Sequence, residues 1–168
     1  MRITDIVKFF GCSPQNKELD AYLTSIGIIE RPEFEENPAE DISLKSEGYT
    51  LSFRAQRGYE RNWGLAQDNL GSMIFNEVRV YSSNNDSGYK EYKGDLPYKL
   101  SFSSTLDSAK KILGEPYMSQ PFGTEDKVYT WYNLSGITID ICFLSNDKGI
   151  SFISIEKAQK NAPKKLDW

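Results

Sequence analysis

Apolar residues recur along this chain at two spacings, and the switch between them marks its elements. Leu106, Ala109, Ile112 and Leu113 fall three and four apart, which predicts one buried helix face. Ser103, Ser104 or Thr105 can accept the free amide hydrogens at its start, while Gly114 and Pro116 end it. The period then drops to two: Val128 to Tyr132, Ile137 to Leu144 and Ile150 to Ile155 read as strands. In the middle one, Ile137, Ile139, Ile141 and Phe143 alternate with Thr138, Asp140 and Cys142, so one face belongs to a core. Leu100 and Phe102 predict a short strand ahead of the helix, and Asp95 to Ile155 thus forms a helix laid on a small antiparallel sheet.

The first half repeats this order loosely. Ile6, Val7, Phe9 and Phe10 predict a short helix stopped by Gly11, and Ser13-Pro14 reads as a cap and first position for a second helix from Gln15. That helix buries Leu19, Tyr22, Leu23 and Ile26 and closes at Gly27. Ile42 and Leu44, then Tyr49, Leu51 and Phe53, alternate on either side of a two-residue Glu47-Gly48 turn, a hairpin pattern. Arg54 to Gly71 is polar and glycine-rich, with Trp63 outside any periodic frame, and reads as a long loop. Met73 to Tyr81 is a strand with Ile74, Val78 and Val80 in the core, and Asn84 to Gly94 is a turn-rich connector carrying Tyr89 and Tyr92. The fold class expected is α+β: helices packed on an antiparallel β-sheet, in two similar helix-plus-sheet halves, 1–82 and 95–156, of a single domain 1–156. A Lys-rich C-terminal tail, 157–168, is expected to be frayed or loosely docked.

Composition narrows the function. The 168 residues suffice for one sizeable core, and ten Tyr and nine Phe favour a sheet. No apolar run approaches a bilayer span, and MRITDIVKFFG lacks the layout of a secretory signal, so a soluble, cytoplasmic protein is expected. Histidine is absent, which removes the usual general base, and two cysteines without histidine cannot complete a zinc set. Cys12 and Cys142, in apolar surroundings, are expected to be buried free thiols. There is no phosphate-binding glycine loop, and the acid pairs Glu35/Glu36, Glu40/Asp41 and Glu125/Asp126 fall in expected loops. The expectation is therefore a protein that is not an enzyme and has no cofactor or metal. A carboxylate-dependent hydrolase stays open as an alternative.

A net charge of −4 disfavours nucleic acid as a partner. The acids concentrate in ERPEFEENPAED, where Glu30, Glu33, Glu35, Glu36, Glu40 and Asp41 accompany a single Arg31. Such a run is either a solvated connector or an electrostatic contact for a basic partner. Tyr59 and Trp63, in the expected polar loop, are candidate aromatic anchors for the same contact.

The stretch GDLPYKLSFSSTLDSAKKILGEP, through Gly94, Leu96, Pro97, Leu100, Phe102, Leu113, Gly114 and Pro116, resembles small bacterial immunity proteins of toxin–immunity (contact-dependent inhibition or polymorphic toxin) systems. A helix ending in LG-x-P before strands also looks like the repeat of the beta-lactamase inhibitor protein and of small outer-membrane assembly lipoproteins, whose lipoprotein signal and periplasmic role are not expected here. The resemblance implies stoichiometric neutralisation of a cognate toxin domain, a basic one such as a nuclease. It identifies no contact residues, and a scaffold or adaptor role would differ only in the partner.

Overall fold

The computed structural model describes residues 1–165. Short helix α1 (Ile3–Ile6) runs into a 3-10 turn at Val7–Phe9 and is followed by α2 (Lys17–Ser25). Then come β1 (Ala39–Leu44), β2 (Tyr49–Ala55), α3 (Gln56–Trp63), β3 (Met73–Tyr81) and α4 (Leu106–Leu113). The chain finishes with β4 (Met118–Phe122), β5 (Asp126–Leu134), β6 (Ile137–Phe143) and β7 (Ile150–Lys157). All seven strands form one antiparallel sheet in the order β1-β2-β3-β7-β6-β5-β4. Two meanders, each entered from a helix, therefore meet through their last strands, and the architecture is the expected α+β with helices on antiparallel sheet.

The β3/β7 junction spans only Glu77–Tyr81 against Phe152–Glu156. Nearer its start, β3 is paired on that side by the N-terminal segment: the Gly11 amide donates to the Phe75 carbonyl and the Phe75 amide to the Cys12 carbonyl, both at 2.9 Å. The bonds of β3 are thus completed without lengthening β7. Asn76 is the extra residue of a bulge, because Ser52 pairs with Glu77 and Phe53 with Phe75.

One sheet face carries the main core. Leu51, Phe53, Phe75, Val78, Val80, Ile139, Ile141, Ile153 and Ile155 meet Ile3, Ile6, Phe9, Phe10, Leu19, Leu23 and Ala109 from the N-terminal segment, α2 and α4. In α4 the Thr105 hydroxyl caps the Ser108 amide and Gly114 leaves at φ 83°, as expected. Ile112, by contrast, is 48% exposed, because it lies roughly 60° round the helix from the Leu106/Ala109/Leu113 stripe. Helix α2 starts later than Ser13-Pro14: the Ser13 amide is held by the Asp68 carboxylate, and Asn16 caps the Glu18 and Leu19 amides.

Other expectations are corrected. Leu100 and Phe102 form no strand: Tyr98 and Lys99 turn at positive φ, Leu100 is buried, and the Phe102 carbonyl accepts a single bond from the Ile150 amide. The β1–β2 turn has four residues, 45–48, closed by the Leu44/Tyr49 pair. Gly48 (φ 75°) is required there, since a Cβ would lie 2.3 Å from the Lys90 carbonyl oxygen and 2.4 Å from the Tyr92 nitrogen. The expected loop 54–71 contains α3, and the extended segment after Pro116 is edge strand β4.

The C-terminal segment docks over part of its length. The Ala158 amide donates to the Gly136 carbonyl, the Tyr132 hydroxyl to the Gln159 carbonyl, and the Lys160 amide to the Asn62 carbonyl. The last part of the expected tail, 166–168, lies outside the described residues. No helix among the described residues is long and apolar enough to cross a membrane.

Candidate functional site

The acidic run is built outward from α2. Gly27, at φ 81°, ends that helix, and Arg31 folds back on it. Its Nε donates to Asp20 at 2.6 Å, and its terminal nitrogens donate to the carbonyls of Ile28, Glu30 and Asp20 and to the Thr24 hydroxyl. The one cation of the run is thereby committed to pinning the loop. Glu30, Glu33, Glu35, Glu40 and Asp41 line one open concavity of about 510 Å³ with Arg31, Pro32 and Ile42, and Glu36 is exposed on the same loop. Among the described residues none of these six acids forms an ion pair. Five acids against Arg31 in the same concavity leave it net negative, beside β1, which is an edge strand.

Tyr59 and Trp63, expected as interface anchors, are interior residues. They stand four apart on α3, their rings stack at 5.6 Å, and with Ile74 they form a small core on the second face of the sheet. Burial leaves neither free to enter a partner. The exposed apolar side chains beside the acids are Ile29, at 85% exposure, and Phe34, at 47%. Neither belongs to a periodic pattern, so only their position in a charged loop singles them out.

The second sheet face also carries a polar strip that periodicity leaves as ordinary alternation. Strand register sets Glu77 beside Glu156, and Arg79, Ser154, Asp140 and Thr130 along the next row. Arg79 bonds Glu77 at 2.9 Å, Ser154 donates to the same carboxylate, and Thr130 donates to Asp140. Burial, with Glu77 and Asp140 close by, pushes Glu156 up to about 8. Desolvation likewise raises Asp140, partly offset by the Thr130 hydrogen bond. A small cavity of about 150 Å³ between Asp140, Glu156, Tyr132 and the docked Gln159 and Pro163 borders this pair. The signal that could have found it is an acid on each of two strands predicted to pair, flanked by hydroxyl residues. The strand expected at Ile150 to Ile155 stops one residue short of Glu156, because the aliphatic pattern ends at Ile155.

Cys12 and Cys142 are free and buried, as expected, and burial lifts their thiols to about 11 and about 12, respectively, so both stay protonated and unreactive near neutrality. Among the described residues no group of three or more Cys, Asp or Glu is arranged to hold a metal ion.

No protein-family model matches the sequence, and comparison with curated proteins gives no match. Among solved structures, a DUF4309 family protein (YjgB) from Bacillus subtilis is similar over 82% of this chain and 76% of its own, with a TM-score of 0.44 and 12% identity. At that level of likeness nothing about function transfers.

Proposed function

We propose that this is a binding protein whose acidic concavity seats a basic surface of a partner protein, and that the partner is a cognate antibacterial toxin domain which it neutralises stoichiometrically. The observation that carries the binding reading is the arrangement of Glu30, Glu33, Glu35, Glu40 and Asp41 around one open depression, in which Arg31, tied to α2, is the one cation among the described lining residues. The toxin identity rests on the resemblance of residues 94–116 to immunity proteins and on the fit between an acidic surface and a basic nuclease groove. In this reading the two proteins meet in the cytoplasm, and no catalytic step is required of the inhibitor. Carboxylates occupy positions where phosphates would lie, speeding and selecting encounter. Ile29 and Phe34, apolar and exposed on the same loop as the acids, supply the desolvated contact that slows release.

The test is calorimetric titration of the full-length protein with the toxin domain encoded beside its gene. The expected result is a one-to-one complex, with Phe34→Ala weakening it by about 2 kcal/mol, mainly through faster dissociation. Absence of a complex with the wild-type protein would remove the toxin reading.

A carboxylate-dependent hydrolase is the second reading, and the Asp140/Glu156 pair beside the small cavity is what favours it. It requires turnover of a glycoside or ester that Glu156→Gln abolishes, which a substrate screen measures directly.

A further inference from the structure

A second depression, distinct from the acidic one, lies between α3 and the segment leading into β1. Its volume is about 700 Å³, within the range of small-molecule sites. Phe34, Pro38 and Ala55 give it apolar walls, and Gly58 leaves the helix surface open there, since a Cβ at that position would meet nothing within 4 Å. Arg57 and Arg61, one helical turn apart, line the same groove, and both are exposed. Among the described residues neither guanidinium has an ion-pair or side-chain hydrogen-bond partner, and no carboxylate lines the groove. Glu60, between them in sequence, is engaged by the Gln56 side chain at 3.0 Å and the Ala66 amide at 3.3 Å. The Phe34 amide is fixed by the Ser72 hydroxyl at 2.8 Å, which holds the apolar wall to the loop before β3.

We propose that this groove binds an amphipathic organic anion, its apolar body against Phe34, Pro38 and Ala55 and its carboxylate or other oxyanion head between Arg57 and Arg61. Two adjacent guanidinium groups with free donors match an oxyanion, and charge-assisted bonds of this kind are about twice as strong as neutral ones. An apolar cation meets like charge at the same place. The inference does not depend on the toxin reading: the two share Phe34, but the groove is a different cavity of opposite charge, and the arginine variants test it without touching the acidic one.

The full-length protein would be titrated with octanoate below its micellar range, with octanol and octyltrimethylammonium as neutral and cationic counterparts, and followed by amide NMR shifts. Saturable octanoate binding is expected, with shifts centred on residues 34–38 and 55–61, about tenfold tighter than octanol, as one charge-assisted contact supplies. The double variant Arg57→Gln, Arg61→Gln should bind octanoate no better than octanol, since Gln keeps the helix propensity of Arg. Gly58→Leu should fill the groove and abolish binding while the thermal midpoint holds or rises. Octanoate that does not saturate, that binds no better than octanol, or that ignores the arginine variants would overturn the proposal. So would self-association of the protein that Gly58→Leu removes, which would give the groove to a second copy.

Discussion

Glu156 is the residue whose chemistry departs furthest from its sequence context. In the folded protein its carboxyl holds a proton up to about pH 8, chiefly because it is desolvated, with Glu77 and Asp140 adding repulsion and the Gln159 hydrogen bond and Arg54 opposing it. In the unfolded chain a glutamate ionises near 4.3. Between those values the native state carries the extra proton, so the contribution of this group is fully present below about pH 4.5. It is lost as pH rises toward about 8 and changes little beyond. Asp140, raised in the same direction, adds to the trend. Denaturant melts at pH 5.5 and 8.5 should therefore show lower stability at the higher pH. Glu156→Gln should flatten that difference and exceed the wild type at pH 8.5 by at least about 1 kcal/mol. Parallel pH curves for the two proteins would contradict the burial argument. Gly48 is a residue-scale case of backbone demand: Gly48→Ala meets the 90–92 backbone at positive φ and should destabilise by about 2 kcal/mol or more in urea unfolding. That demand was invisible in the sequence, where Gly48 reads as one turn residue among many.

At the scale of elements, α4 and β6 were legible because their apolar residues keep one period, and β3, β5 and β7 because they are runs rich in β-branched and aromatic residues. Ile74, however, before the bulge at Asn76, faces the small second core and not the main one with Val78 and Val80. Thr105 and Gly114 bound α4, one capping and one at φ 83°. Helix α3 was not legible, since only Tyr59 and Trp63 mark its buried side, and two aromatics four apart in a polar stretch also fit a loop. Edge strand β4 was hidden by Pro121 and by its lack of a buried row, features permitted on an edge where one side needs no partner. The interior position of Trp63 is open to test: Trp63→Ala should cost about 3 kcal/mol of stability by urea titration while leaving the native protein's affinity for its partner unchanged. A lost affinity at unchanged stability would return Trp63 to an interface. Gly58→Ala should act oppositely, stabilising α3 by about 0.5–1 kcal/mol, because the helix gains propensity and the new methyl meets open space.

At the scale of the molecule, two helix-then-meander halves were foreseeable from the order of periods, but how they join was not. Pairing of β3 with β7, and of Gly11 and Cys12 with the start of β3, depends on contacts between residues far apart in sequence that no local pattern encodes. The acidic surface was partly legible, because charge composition is read directly, whereas the identity of its apolar neighbours waited on burial. Tyr59 and Trp63 went inside, and Ile29 and Phe34 stayed out. Electrostatic attraction at such a surface acts on the rate of encounter and is screened with a Debye length of about 8 Å at physiological ionic strength. The most direct test is therefore the association rate constant with the basic toxin domain, measured by stopped flow at low and high salt. The wild-type protein would be compared with a variant carrying Glu33, Glu35, Glu36 and Glu40 changed to Gln. The expected result is an association about tenfold or more slower for the variant at low salt, with a shallower salt dependence and a nearly unchanged dissociation rate. Equal association rates and equal salt slopes for the two proteins would contradict the claim that the acidic concavity is the binding surface.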